Sequence, residues 1–320
     1  MRKMENAIET INLTKYYDEF LAVDHINFEV KKGEIFGFLG PNGAGKTTTI
    51  RMLISLTKPS EGTAKIFGYD IQSQTIAAKR HVGIVPEISN IYDDLSAWDN
   101  LMFTGELYQV SKADREKKAR ELLELFGLYD RRNSKAKGFS KGMKRRLTLS
   151  MGLINTPQLL FLDEPTSGLD VQSALIIKDV VRELNQKGVT IFLTTHDIEE
   201  ANVTCDRVAI IHKGKIAAID TPEKLKKTIQ SVQSVEVAFD KTTPKTLKEL
   251  EKIPSANEVR KEGDKFRVYT HDPANVLSGL WEYAKANGLK PISLTTLGPS
   301  LEDVFVKLTE IEVKTKKEEF

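Results

Sequence analysis

The sequence of 320 residues lacks two features that would place it in a membrane or link it covalently. It has no run approaching the roughly 18 consecutive apolar residues of a membrane-spanning helix, and its charged first residues, Met1 to Asn6, contain no signal-peptide apolar core. Its only cysteine, Cys205, cannot form an intramolecular disulfide, which fits a reducing compartment. These absences predict a soluble, cytoplasmic protein that would reach a membrane only through a partner.

An excess of one charge sign is also absent. Lys and Arg number 47 against 45 Asp and Glu, which leaves a formal net charge of +2. Without a positive excess there is no general attraction to a phosphate backbone, so no nucleic-acid partner is expected. The chain does have ample apolar material, 40% of its residues, which is enough for one large domain and a smaller one.

Short apolar runs alternate with helical periodicity through the first two thirds of the chain. Three of these runs predict strands covered on both faces: residues 35–39, 159–162 and 189–193. Helices are predicted from residue 46 onward and over residues 171–186. Strands that alternate with helices predict an α/β fold with a mostly parallel core sheet.

Two additions to this sheet and a separate C-terminal domain are also predicted. Alternating residues at 7–13 and 26–30 indicate an antiparallel β subdomain, and about residues 95–155 indicate a helical insertion. After Asp220 the pattern changes to strands at 232–239 and 266–269 and a helix at 273–287, with Val276, Leu280, Trp281 and Ala284 on one face. We therefore predict two domains, residues 1–220 and a small α+β accessory domain at 221–320.

A glycine-rich segment between a predicted strand and a predicted helix matches the phosphate-binding pattern G-x-x-x-x-G-K-[ST]. Glycines let consecutive backbone N–H groups face one anion, the lysine reaches the β- and γ-phosphates, and the threonine hydroxyl can bind Mg²⁺. A chance glycine-rich turn is the alternative, and the strand–loop–helix context argues against it. The candidate nucleotide-binding residues are Gly40, Pro41, Asn42, Gly43, Ala44, Gly45, Lys46, Thr47 and Thr48, with Thr47 also a candidate metal ligand.

Two carboxylates follow the second buried strand. Asp163 stands where it could hold Mg²⁺ through water, and Glu164 where it could polarise an attacking water as general base. A solvated turn is the alternative, because Pro165 and a glycine-containing loop come next. Together with the glycine-rich segment, the pair predicts an ATP-hydrolysing site that uses Mg²⁺.

From about residue 8 to residue 218 these motifs resemble the ATP-binding-cassette superfamily of P-loop proteins, because Phe139-Ser140-Lys141-Gly142-Met143 stands where that family has its signature. The resemblance implies that the signature of one subunit caps the ATP held by the other, so that hydrolysis needs a dimer. Ser140 and the Gly142 N–H would then contact the γ-phosphate from a helix N-terminus. An ordinary serine N-cap is compatible with this role. Lys141 and Met143 depart from the usual glycine and glutamine.

Three further site residues are implied by the resemblance. Asp170 ends a loop that would cross the dimer interface, and His196 stands where the family has its γ-phosphate sensor. An aromatic ring before the second strand would stack on adenine, and the Lys15-Tyr16-Tyr17 run favours Tyr17, although ordinary core packing explains that residue almost as well.

Glu87 is the most informative departure, because the family normally has glutamine there, in contact with Mg²⁺ and the attacking water. Carboxylate is a hard ligand that Mg²⁺ tolerates, so Glu87 is both a candidate catalytic residue and a candidate metal ligand, and Glu87→Gln is expected to stay active with altered Mg²⁺ dependence. The loop that follows, residues 88–98 with Tyr92 and Trp98, is the predicted docking surface for a partner, or else packs on the helical insertion.

The C-terminal segment from Gly298 to Phe305 resembles the accessory domain of bacterial and archaeal exporter-type ATPases of the drug, lipid or sodium export kind, although a plain helix start explains the same residues. The resemblance implies a homodimeric ATP-binding subunit on the inner face of the cell membrane, driving an integral membrane permease. The alternative is a soluble ATPase acting on ribosomes or nucleic acid. A GTPase or small-molecule kinase would leave Ser140 and His196 unexplained.

Overall fold

The computed structural model describes residues 6–228 and 233–315, with side chains of the last helix as far as Thr309. The chain forms two compact units, Met1–Pro222 and Glu223–Phe320. Every helix in residues 6–228 and 233–315 is too short or too polar to span a bilayer.

The first unit contains eleven strands and seven α-helices among the described residues. The strands are β1 (Asn6–Tyr17), β2 (Phe20–Ile26), β3 (Glu29–Lys31), β4 (Ile35–Leu39), β5 (Glu61–Ile66), β6 (Tyr69–Asp70), β7 (Val82–Val85), β8 (Leu159–Asp163), β9 (Thr190–Thr195), β10 (Arg207–His212) and β11 (Lys215–Asp220). The helices are α1 (Lys46–Leu53), α2 (Thr75–Lys79), α3 (Ala97–Leu107), α4 (Lys112–Leu125), α5 (Lys141–Leu153), α6 (Val171–Gln186) and α7 (Ile198–Thr204).

The central sheet has the strand order β11-β10-β4-β9-β8-β7, and all of its pairings are parallel except that of β11. Every residue of β4, β8 and β9 is buried, as their apolar sequences predict. Stacked rings of Phe28, Phe36 and Phe192 fill the core on one side, with centroids 5.5–5.9 Å apart. The predicted mostly parallel α/β sheet is confirmed.

A second, antiparallel sheet orders its strands β2-β1-β5-β6, with β3 also paired to β1. The single strand predicted at residues 26–30 is wrong, because β2 ends at Ile26 and β3 starts at Glu29. The Asn27 side chain bonds Asn12 at this break, and Phe28 turns into the core. The sequence shows one continuous apolar alternation because Ile26, Phe28 and Val30 are all buried, although they lie on both sides of the break and within it.

The predicted helical insertion consists of α3, α4 and α5, each of which is preceded by a serine at its N-cap. Ser96, Ser111 and Ser140 accept hydrogen bonds from backbone N–H groups three residues ahead and so cap the helix N-termini. Short 3₁₀ turns at Tyr129–Arg131 and Ala136–Gly138 connect α4 to α5.

The second unit is an α+β arrangement. Its elements are α8 (Pro222–Lys227, at the division between the units), β12 (Gln233–Phe239), α9 (Thr246–Leu250), β13 (Glu258–Glu262), β14 (Lys265–Thr270), α10 (Pro273–Ala286), β15 (Pro291–Leu297) and α11 (Leu301–Thr315). The four strands form one antiparallel sheet in the order β13-β14-β12-β15. The start predicted for its first strand, residue 232, lies outside the described residues.

One side-chain prediction for this unit is wrong. Val276, Leu280 and Ala284 are buried in its core at helical intervals of four, but Trp281 is 61% exposed. One residue past Leu280 turns the side chain by about 100° around the helix, which carries Trp281 off the buried stripe.

Candidate functional site

The parallel pairing of the central sheet brings the predicted motifs to one edge. Leu39 pairs with Thr195, Asp163 with Thr194, and Val85 with Leu162. The segments that follow β4, β7, β8 and β9 therefore leave the sheet side by side. Carboxyl ends of parallel strands are where α/β folds place their sites.

The glycine-rich loop follows β4 and leads into α1. Gly43 and Gly45 have φ angles of +80° and +106°, a region that side chains with a Cβ rarely adopt. A Cβ on Gly45 would also lie only 2.7 Å from the Ala22 carbonyl oxygen. The loop thus requires glycine at these positions in order to present its backbone N–H groups at the start of α1.

Lys46 begins α1 and its ammonium group lies inside this loop. Its Nζ donates to the Gly40 carbonyl oxygen at 2.7 Å and to that of Pro41 at 3.2 Å. It also pairs with Glu164 Oε1 at 3.1 Å, and the two side chains are only 6% and 7% exposed. Buried charges are stable only when paired. Lys46 and Glu164 therefore neutralise each other until another anion replaces Glu164 as the partner of Lys46.

Thr47 and Asp163 form the candidate metal position. Thr47 Oγ1 lies 3.4 Å from Asp163 Oδ1, which also accepts a bond of 2.5 Å from Thr194 Oγ1. Among residues 6–228 and 233–315, no group of three or more His, Cys, Asp or Glu side chains could hold a metal alone. A hydroxyl and a single carboxylate nevertheless fit Mg²⁺, which is usually held by one or two carboxylates together with phosphate oxygens.

Glu164 adopts an unusual backbone conformation directly after β8. Its φ is +48°, a conformation that costs a non-glycine residue about 1–3 kcal/mol and persists only where the surroundings hold it in place. Its N–H donates to the carbonyl oxygen of Thr194 at 3.1 Å, and its Oε2 lies 2.5 Å from His196 Nδ1. The carboxylate is therefore held between Lys46 and His196.

Most of these groups, but not Asp163 or Thr194, line one cavity of about 460 Å³. Of the predicted site residues, the lining contains Tyr17, Asn42, Gly43, Gly45, Lys46, Thr47, Thr48, Glu87, Glu164 and His196. Tyr17 is 41% exposed, which excludes the core-packing alternative for it. Phe20 lines the same wall, opposite Tyr17 in the β1–β2 pairing.

Ser140, Gly142 and Asp170 do not line this cavity. The Ser140 hydroxyl caps α5 by accepting from the Met143 N–H at 3.2 Å, and the Asp170 carboxylate caps α6 by accepting from Ser173 at 2.8 Å. That bond lowers the pKa of Asp170. A Cβ on Gly142 would lie 2.4 Å from Ser173 Oγ, so the close approach of the N-termini of α5 and α6 is itself a reason for this glycine. Within one chain, the signature residues Ser140 and Gly142 therefore lie outside the cavity.

Sequence reasoning missed several residues of the site, including Ala22 and Ser167 of the cavity lining. Phe20 could have been found as an aromatic residue within the same hairpin as Tyr17. Thr194 bonds both Asp163 and the backbone of Glu164, and its place at the end of a buried strand carries no distinguishing signal. Arg145 has a buried side chain that bonds backbone around Glu87 and Glu164, although nothing in its helical context distinguishes it from a surface arginine.

The comparisons with known proteins agree with this geometry. Residues 23–167 match the family described as ABC transporter. The chain belongs to the ATP-binding proteins of ABC transporters, and its similarity to relatives named for drug resistance and Nod factor export shows an ATP-binding and ATP-hydrolysing subunit of the exporter type. The predicted P-loop ABC fold, the ATPase function and the subunit class are confirmed, and the alternative of a ribosome- or nucleic-acid-directed ATPase is not favoured.

Particular relatives extend over nearly the whole chain. The linearmycin resistance ATP-binding protein LnrL of Bacillus subtilis (strain 168) is 36% identical over 304 residues, 94% of this chain and 98% of the relative. The Nod factor export ATP-binding protein I of Cupriavidus metallidurans is 36% identical over 313 residues, 97% and 100% of the two chains. A solved dimer of an ATP-binding cassette, in a post-hydrolysis state with ADP and Pi, has a TM-score of 0.62 at 26% identity and covers 67% of this chain and 98% of that one.

Proposed function

We propose that two copies of this chain bind ATP head to tail and hydrolyse it with Mg²⁺ to drive an integral membrane permease. The observation that carries the proposal is the cavity in which Lys46, Glu164 and His196 meet. The separation of Ser140 from that cavity supports a dimer, because a second chain could bring its own signature to the phosphates.

Within the cavity, the glycine-rich loop at residues 40–48 receives the phosphates and Tyr17 stacks on the base. The phosphates compete with Glu164 for Lys46, since a polyanion attracts the ammonium more strongly than one carboxylate does. Glu164 is then free to take a proton from the attacking water, and His196 contacts the γ-phosphate. Mg²⁺ held by Thr47, Asp163 and Glu87 would neutralise charge that develops on the phosphate oxygens.

In the dimer, the partner contributes its signature. Ser140 and the Gly142 N–H at the start of α5 approach the γ-phosphate held by the other chain, where the N-terminal end of a helix favours an anion. Asp170 caps α6 at the same surface and lies at the dimer interface. The site within one chain is incomplete without these groups.

The permease is proposed to dock beside Glu87. A groove of about 570 Å³ is lined there by residues including Leu56, Ile84, Ile88, Tyr92, Leu107 and Tyr108. Ile88 is 82% exposed, and Tyr92 also makes an edge contact with Phe103 of α3, with centroids 5.0 Å apart. Trp98 is half-buried and does not line the groove. An exposed apolar groove of this kind suits an apolar helix of a partner, and docking there would hold the chain on the inner face of the membrane.

We further propose that residues 1–220 are the catalytic cassette and residues 221–320 an accessory domain that assists dimer formation or docking. The relatives' printed names, linearmycin resistance and Nod factor export, support outward transport. The cargo itself would be selected by the permease.

The proposal is tested with Glu164→Gln, which removes both the general base and the carboxylate that competes for Lys46. We expect tighter ATP binding, turnover reduced by about 100-fold or more, and a dimer in size-exclusion chromatography with ATP and Mg²⁺. Lys46→Ala is the control and should lose ATP binding. A Glu164→Gln protein that stays monomeric in saturating ATP and turns over normally would overturn the proposal.

A further inference from the structure

Arg145 of α5 has no place in the mechanism described above, yet all five of its N–H groups donate to backbone carbonyl oxygens. Nε donates to Pro165 at 2.9 Å, Nη2 to Asp163 at 2.9 Å and to Glu164 at 3.1 Å, and Nη1 to Pro86 and to Glu87, the latter at 3.2 Å. A guanidinium has five donors in a fixed planar arrangement. Here that arrangement connects two chain segments about 80 residues apart in sequence, residues 86–87 and 163–165.

The five carbonyl groups belong to the turns in which β7 and β8 end. The first turn carries Glu87 into the cavity, and the second carries Glu164. Arg145 is therefore the side chain that connects both candidate catalytic carboxylates through their own backbone rather than through their side chains.

Glu164 depends most on this connection because of its positive φ. Its N–H is held by Thr194 and its carbonyl oxygen by Arg145, so the peptide groups on both sides of the strained residue are restrained. A strained conformation persists only where its surroundings determine it from several sides. Without Arg145, one of these two restraints is lost.

The side chain is also buried without a carboxylate partner. Arg145 is 4% exposed, and within the described residues it forms no ion pair shorter than 4.0 Å. Burial lowers the pKa of Arg145 to about 10, opposed by the nearby charges of Asp163, Glu87 and Glu200. A buried cation stabilises a fold poorly compared with apolar packing. The contribution of Arg145 is therefore the backbone geometry that its hydrogen bonds impose.

We propose that Arg145 is a positioning residue that holds Glu164 and Glu87 in their productive arrangement. Ser140 caps the same helix five residues earlier, so the signature and this positioning residue belong to one element. The inference rests on the proposed function, since it assigns a purpose to the same cavity.

The test compares Arg145→Gln, Arg145→Lys and, as matched control, Arg146→Gln in the full chain. Arg146 lies on the same helix but donates to the single carbonyl oxygen of Phe126 at 2.9 Å. We expect Arg145→Gln to lower kcat by about 10- to 100-fold, as small misplacements of catalytic groups do, with the ATP KM changed less than about threefold. Arg145→Lys keeps the charge but has fewer donors and should fall between. Arg146→Gln should leave kcat within about twofold.

Hydrogen–deuterium exchange provides a readout that does not depend on turnover. In Arg145→Gln, peptides that cover residues 82–92 and 159–168 should exchange faster than in the parent, whereas those covering β4 should not. If Arg145→Gln does not fold, the same two measurements on Arg145→Lys decide the question.

Two outcomes contradict the inference: unchanged kcat and exchange in the folded variants, or loss of ATP affinity that accounts for the whole loss of turnover. Both outcomes differ from a failure of the proposed function. If the proposed function were wrong, the parent protein itself would neither form an ATP-dependent dimer nor hydrolyse ATP.

Discussion

At the scale of single residues, the site is a set of competing ion pairs and hydrogen bonds. Lys46 is shared between carbonyl oxygens and Glu164, and Glu164 is shared between Lys46 and His196. Such sharing keeps buried charges paired while leaving each exchangeable for phosphate. The behaviour of a substitution therefore depends on which partner it leaves unpaired.

A substitution of Glu87, which lies at the wall of the cavity, tests this dependence on pairing. The side chain is exposed and lines the cavity, so Glu87→Gln removes a negative charge without burying an unpaired group. We expect the variant to remain active within about tenfold of the parent, with a higher Mg²⁺ concentration needed for half-maximal turnover, because an amide oxygen is a weaker ligand than a carboxylate. Titration of ATPase activity with Mg²⁺ measures this, and a folded but inactive variant would refute it.

Glu200 is a buried carboxylate that links two motifs. Its Oε1 accepts from Thr166 at 2.7 Å, and burial raises the pKa of Glu200. A carboxyl whose pKa is higher in the folded state destabilises the fold increasingly as pH rises through that pKa. Gln can accept the same bond without the charge.

Glu200→Gln is thus expected to raise the melting temperature at pH 8, and the difference should shrink as pH falls through the raised pKa toward the ordinary glutamate pKa of 4.5, below which the carboxyl is protonated in both the folded and the unfolded state. Thermal unfolding of both proteins between those pH values measures the difference. A difference that is constant with pH would contradict the burial of a charged carboxylate.

At the scale of elements, α5 packs directly on β7 because two glycines face each other. A Cβ on Gly83 would lie 2.1 Å from the Gly152 carbonyl oxygen, and a Cβ on Gly152 would lie 2.9 Å from that of Ile84. This close approach brings α5, and with it Arg145, within reach of the strand ends. The packing of one helix on one strand therefore underlies the geometry of the site.

Gly83→Ala should separate these elements, since a backbone oxygen blocks the added methyl group. We expect a loss of about 1–3 kcal/mol in the free energy of unfolding, in the range of other overpacked sites, together with reduced turnover. Urea unfolding measures the loss. Gly138→Ala is the matched control, because a Cβ there meets nothing within 4 Å, and equal stability of the two variants would show that the contact is unimportant.

At the scale of the whole molecule, function depends on surfaces that one chain cannot complete. Ser140 caps its own helix and is also the proposed contact for the partner's phosphate. These two roles can be separated, because aspartate is as good an N-cap as serine but carries a negative charge.

Ser140→Asp is expected to retain the stability of the parent, whereas Ser140→Ala should lose about 1 kcal/mol of it. In contrast, Ser140→Asp should abolish the ATP-dependent dimer by repelling phosphate, while Ser140→Ala weakens it less. Chemical unfolding and size-exclusion chromatography in the Glu164→Gln background measure the two effects. If both variants dimerise like the parent, the signature does not face the nucleotide.

Local pattern was enough to predict the order and type of most elements. The apolar runs of β4, β8 and β9, the span of α6 and the serine at the start of α5 are all marked by residue types within a few positions of one another, namely continuous apolar residues, a helical burial period and an N-cap. The glycine-rich loop and Glu164 were named from residue types at fixed offsets from strand ends, and His196 from the family resemblance; the structure brings them to one cavity.

Contacts between distant segments were decided only by the tertiary structure. No periodicity shows that Phe28 lies in a break between strands or that Arg145 connects the ends of β7 and β8. The pairing of Glu164 with both Lys46 and His196 likewise depends on strand order. In most cases these features depend on packing between residues that are more than 30 positions apart in the sequence. Local sequence does not specify which distant residue a side chain will contact.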